Sequence, residues 1–119
     1  LKSALSQSYK NIELIIVGDH CTDNTAELLA KIKDPRLKFY NLPKRIRTYR
    51  QNIENHWLVG GAEPANKAMD LANGEWFARL DDDDTWSYDH IERLLKLAID
   101  GNYEFVLDYM RKSDLEKEL

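Results

Sequence analysis

The segment IELIIVG, Ile12 to Gly18, is the feature that most restricts how this chain can fold. A nearly unbroken β-branched run is the pattern of a strand covered on both faces, and such strands belong to mainly parallel sheets with helices over them. The neighbouring sequence continues the alternation. Leu1 to Tyr9 reads as a short helical piece with Leu1, Ala4 and Leu5 on one face. After DHCTDN, the segment TAELLAKIK reads as a helix with Ala26, Leu29, Ala30 and Ile32 near one stripe. Thr22, Asp23 or Asn24 is its expected cap, and Asn24 with Glu27 has capping-box spacing. Asp34-Pro35 breaks that helix, and RLKFYNL comes next as a second strand with Leu37 and Phe39 alternating.

The segment from Pro43 to Ala62 lacks clear periodicity, begins basic and ends in Gly60-Gly61, so it reads as a long surface loop with room for a helical turn. Pro64 suits the first turn of a helix with Ala65, Ala68, Met69 and Ala72 on one face, stopped by Asn73-Gly74. EWFARL is then expected as a third strand, Tyr88 or Asp89 to Asp100 as a helix with Ile91, Leu94, Leu95 and Ala98 inward, Gly101 as its terminator, and YEFVLDYM as a fourth strand. Strands alternating with helices at this spacing imply right-handed crossovers, and ligands of such sheets sit outside the carboxyl ends of the strands. Two acidic segments fall there: Asp19 after the first strand, and Asp81 to Asp84 after the third.

With 119 residues, 43% of them apolar and 32% charged, the composition matches one ordinary globular domain rather than a disordered chain. No run of about 18 apolar residues is present. The net charge of −4 argues against nucleic acid as the main partner. Cys21 is the single cysteine, so an internal disulfide is excluded, which suits a cytoplasmic setting. Both ends have the look of a truncation, which leads to an expectation of exposed strand edges and self-association.

Three readings of Asp81 to Asp84 are open on the residues alone. A solvated acidic turn is the default for a run of like charges, with Ser87 or Asp89 capping the next helix. An EF-hand loop is the second, since Asp81, Asp83, Thr85, Ser87, Asp89 and Glu92 fall at its ligand positions. Trp86, however, stands where that loop needs Gly, and a strand precedes it where a helix belongs. The third is a Mg2+ or Mn2+ site for a diphosphate, in which carboxylates one residue apart at a strand tip face one ion. Neither GxGxxG nor a P-loop occurs.

Two blocks carry a resemblance to a known family. SQSYKNIELIIVGDHCTDNTAELL resembles the opening of the inverting family 2 glycosyltransferases, and ANKAMDLANGEWFARLDDDDTW resembles their second block, ending in a D-x-D motif. Together they cover about half of the chain, in the family's order. The resemblance implies a GT-A fold, a Rossmann-like three-layer α/β/α sandwich with a mainly parallel sheet. It makes residues 1–119 the donor-binding part, with the acceptor part and the catalytic base expected beyond Leu119. It further implies transfer of a sugar, with inversion, from a nucleotide diphosphate donor to a saccharide or lipid-linked acceptor. Asp19 would accept a hydrogen bond from the base, usually uracil. Asp83 is the implied metal ligand, Asp81 lies nearer the ribose or the metal, Asp82 and Asp84 support them, and Asn66 borders the donor site. Gly18 stands at the first position of the usual Asp-Asp pair, His20-Cys21 where Gly-Ser is common, and Ala65 where many members carry Arg. On this reading the protein works in the cytoplasm, with the cytoplasmic membrane face the alternative for a longer chain, and these 119 residues have little activity by themselves. A non-catalytic module binding a sugar nucleotide or a cation is the alternative. A nucleotidyltransferase of similar fold would need a Gly-rich loop upstream of Leu1.

The remaining candidates read as structural. Lys44, Arg45, Arg47 and Arg50 form a solvated loop face in preference to a diphosphate clamp. His56 and His90 read as surface residues without metal-ligand spacing. Cys21 reads as a packed turn residue, and His20 as a polar turn or a base contact. Trp57 covers either a ligand or the core, and Trp86 packs under the aspartate loop.

Overall fold

The computed structural model describes residues 1–44, 50 and 52–108, except for the side chains of residues 56–58. Arg45, Arg47, the side chains of His56 and Trp57, and the end of the expected fourth strand lie outside the described residues. In chain order the elements are α1 (Lys2–Leu5), β1 (Leu14–Gly18), α2 (Thr25–Ala30), β2 (Leu37–Asn41), α3 (Ile53–Val59), α4 (Ala62–Leu71) and α5 (His90–Gly101). They belong to two compact units. One is continuous, Asn11–Arg79; the other joins Leu1–Lys10 to the chain from Leu80 onward.

In the continuous unit β1 and β2 pair in parallel, with Leu14 opposite Leu37 and Gly18 opposite Asn41. The intervening α2 is the crossover that a parallel pair requires. α4 packs against β1 and α2 touches β2. Leu14 to Val17 are half-buried, less covered than their β-branched run predicts, while Leu37 and Phe39 alternate inward as expected. On α2 the inward residues are Thr25 and Leu29, with Ile32 beyond; Ala26 and Ala30 are exposed. Asn24 stands at the N-cap position without a side-chain cap bond, so the capping box is not formed. Asp23 accepts a hydrogen bond from the Thr25 amide (3.0 Å) instead. α3 supplies ordered structure where a loop with a helical turn is expected. α4 carries Pro64 in its first turn, where the missing N–H costs nothing, and turns Ala65, Ala68 and Ala72 inward; Met69 is exposed.

The Glu13 carboxylate ties the start of β1 to the end of α4. It accepts from the Asn73 and Gly74 amides and from Lys38 (2.8 Å). These partners, Lys38 foremost, hold its pKa at about 2 against an ordinary 4.5.

In the discontinuous unit Ile91, Leu94 and Leu95 are half-buried and Ala98 is buried, the inward stripe read from the sequence. α5 ends in a Schellman motif: Tyr103 N–H donates to Ala98 O (2.8 Å) and Asn102 N–H to Ile99 O (3.2 Å). Asn102, not Gly101, takes the left-handed conformation, at φ 52°. Gly101 instead leaves room for the Tyr103 ring, which a Cβ there would displace.

The expected third and fourth strands are not formed among the described residues: 75–80 and 103–108 contain no strand, and the described sheet has two strands. β-propensity expresses fit to a paired, half-buried surface. Here Trp76, Phe77, Phe105 and Leu107 are exposed, so that surface is missing. No described helix is long and apolar enough to cross a membrane.

Candidate functional site

At the carboxyl end of β1 the chain turns sharply around Gly18. A Cβ on Gly18 would meet Asn41 Oδ1 and Cys21 Sγ at 2.8 Å each, so glycine here makes room for a bridge between the strand ends. Asn41 closes that bridge at two points, accepting from the Cys21 amide (2.8 Å) and donating to the Cys21 carbonyl (2.9 Å). Leu42 N–H donates to Gly18 O at 2.8 Å. Between these anchors lie Asp19, exposed, and His20, in the left-handed region at φ 57°. Cys21 is half-buried in this bridge, the packed role expected for it.

Asn66 lies on α4 in the same unit. With Leu42, Pro43, Glu63, Lys67 and Asp70 it lines a shallow pocket of about 360 Å3; Asp19 is not among the lining residues. Lys67 places its ammonium 4.7 Å from the centre of the Tyr40 ring, linking α4 to β2 by a cation–π contact.

Asp81 to Asp84 belong to the other unit, where they form a tight turn closed by Asp84 N–H donating to Asp81 O (3.2 Å). Asp82 and Asp83 occupy its corner, and all four residues are exposed. Among the described residues no group of three or more His, Cys, Asp or Glu is arranged to hold a metal ion. Asp81 and Asp83 stand one residue apart on this exposed turn, the D-x-D spacing.

The chain leaving the turn is tied down closely. Trp86 N–H donates to Ser3 Oγ (3.2 Å), Ser8 N–H to Tyr88 O (2.8 Å), and Ser8 Oγ to Glu92 (3.0 Å). Gln7, fully buried, sits in the middle: its Nε2 donates to Ser87 O (2.7 Å) and Ser3 O (3.0 Å), and its Oε1 accepts from Ile91 N–H (3.0 Å). The last of these bonds satisfies an orphan amide in the first turn of α5, where Asp89 stands at the N-cap without capping through its own side chain. Losing a partner from such a buried amide costs about 1–3 kcal/mol. The Trp86 ring stacks on His90, with centroids 4.9 Å apart and planes within 13°. His90 is therefore half-buried rather than a surface residue, and burial lowers its pKa below the ordinary 6.5, with Asp108 pulling the other way.

Sequence reasoning finds the aspartate turn but gives Gln7 and Asn41 no role. Gln7 carries a usable signal, since it stands inside the first family-like block. Asn41 carries none, because its partner Cys21 is 20 residues away.

Residues 1–118 match the family model described as Glycosyl transferase family 2. The chain belongs to glycosyltransferase family 2. Membership carries the GT-A fold, and the parallel β1–β2 pair with its helices agrees with it. Among curated family relatives, the chain is 41% identical over 86 residues to the UDP-Glc:alpha-D-GlcNAc-diphosphoundecaprenol beta-1,3-glucosyltransferase WfaP of Escherichia coli, covering 72% of this chain and 29% of that protein. It is 28% identical over 106 residues to WfgD of Escherichia coli, a protein of the same description, covering 89% and 37%. It is 33% identical over 105 residues to the putative teichuronic acid biosynthesis glycosyltransferase TuaG of Bacillus subtilis, covering 87% and 36%. The chain thus spans between 29% and 37% of the lengths of these three family members. No solved structure matches it.

Proposed function

We propose that this chain is the donor-binding part of an inverting glycosyltransferase that takes a nucleotide-diphosphate sugar, a UDP-sugar, and transfers the sugar to an acceptor hydroxyl. The observation that carries the reading is the exposed Asp81–Asp84 turn, closed on itself and succeeded by a rigidly bonded segment, at the D-x-D position of the family. Two family relatives are described as UDP-glucose-dependent and as acting on a diphosphoundecaprenol-linked acceptor, which supports UDP as the nucleotide and a lipid-linked saccharide as the acceptor class.

In this reading Asp19 accepts a hydrogen bond from the base, and Asn66 borders the donor. Asp83 and Asp81 hold Mg2+ or Mn2+, with Asp82 and Asp84 supporting them. The donor set fits such an ion. Mg2+ is ordinarily held by one or two carboxylates plus substrate phosphates, so two exposed aspartates one residue apart suit an ion that arrives with the diphosphate. When bound, the ion supplies positive charge to the departing diphosphate. The base that deprotonates the acceptor hydroxyl is assigned to no residue of this chain.

Calorimetric titration of UDP into the full-length protein, with and without Mn2+, tests the reading. Binding that requires Mn2+ and is lost in Asp83→Ala is the expected result. Metal-independent binding, or binding indifferent to Asp83→Ala, overturns it.

A further inference from the structure

We infer that Gln7 is the positioning residue of the Asp81–Asp84 turn, setting the course of the chain that leaves it. The inference rests on the donor reading of that turn for its functional meaning, and on geometry for the rest. Gln7 is the largest side chain wholly withdrawn from solvent among the described residues, and it is polar. A buried amide is tolerated only when its donors and acceptor are matched. Here both Nε2 hydrogens and Oε1 are used, on Ser3 O, Ser87 O and Ile91 N–H.

Two of these partners are backbone groups on the segment beyond the turn. Ser87 lies three residues past Asp84 and Ile91 is in the first turn of α5, so one planar amide holds the segment at two points. Trp86 N–H on Ser3 Oγ and Ser8 N–H on Tyr88 O bind the same stretch from either side of Gln7. The turn's own backbone closure, Asp84 N–H on Asp81 O, sets its local shape but not its direction relative to α5. Carboxylates that must meet an ion and a diphosphate together need their backbone fixed by neighbours, and Gln7 is placed to fix it.

Gln7→Met keeps the side chain's length and removes all three bonds. Ala98→Gly, at a buried helical site near the far end of α5 in the same unit, is the control for general loss of stability. Hydrogen–deuterium exchange on the full-length protein, under conditions where both variants are folded, is the first measurement. Amides from 84 to 91 exchange faster in Gln7→Met and are unchanged in Ala98→Gly. Equal exchange of that segment in both variants overturns the inference, whatever the protein binds.

Mn2+ and UDP affinity is the second measurement. Gln7→Met weakens Mn2+-dependent UDP binding by about tenfold, the low end of what supporting residues contribute at metal sites, and Gln7→Asn restores part of it. Faster exchange with unaltered affinity overturns the functional half of the inference. Failure of the wild-type protein to bind UDP and Mn2+ refutes the donor reading, and the exchange comparison still decides whether Gln7 positions the turn.

Discussion

Gly18 shows how much one missing Cβ can govern. Any side chain at this position would enter the space where Asn41 and Cys21 meet, and this chain uses that space to pin β1 to β2 at their carboxyl ends. Gly18→Ala forces Asn41 off Cys21 and overpacks the corner, for an expected loss of about 1–3 kcal/mol in urea denaturation. Under the proposed donor reading, in which Asp19 meets the base, displacement of this next residue also lowers UDP affinity. Residues of this kind are hard to read from sequence. Asp81 to Asp84 announce themselves because their peculiarity is local, four like charges in a row. Asn41 and Gln7 do not, because a lone amide acquires its meaning from partners 20 and 80 residues away.

Elements divide along the same line. β1, α2, β2, α4 and α5 are legible because periodicity, Pro64 and Asp34-Pro35 are features of short windows, and the inward stripe of α5 matches residue for residue. EWFARL and the described part of YEFVLDYM read as strands and form none, since an apolar extended run becomes a strand only when a neighbour supplies the ladder, and sequence does not display the neighbour. The end of α5 is an intermediate case. A Gly at the right place suggests the stop, yet the left-handed residue is Asn102, one position later. A β-branched side chain is costly in that conformation, so Asn102→Val lowers stability by about 1–2 kcal/mol in thermal unfolding, whereas Asn102→Gly keeps the Schellman motif and the stability.

For the molecule as a whole, acid should act unevenly. Glu13 and Asp34 each have a carboxyl pKa of about 2, Glu13 through Lys38 and Asn73, Asp34 through Arg36. Both lie in the continuous unit. A depressed folded pKa means the stabilisation is complete above the ordinary values, 4.5 and 3.8, and is lost as pH falls from there through about 2. Hydrogen exchange at pH 3 should therefore loosen peptides of β1 and β2, and Glu13→Gln should flatten the pH dependence of unfolding across that window. A Glu13→Gln protein with the wild-type slope would show that the carboxylate does not carry it.

The split of one unit across the chain has a consequence for how the protein is made. On a ribosome, Gln7 emerges long before Ser87, its partner 80 residues later. At about 5–20 residues per second the delay is roughly ten seconds. During that time the four-residue α1 is too short to persist by itself, while Asn11–Arg79, continuous in sequence, is free to form. Synthesis thus sets an order of events: the nascent chain builds its parallel strands first, and the segment beyond the aspartate turn takes its course only when it arrives to claim the waiting glutamine.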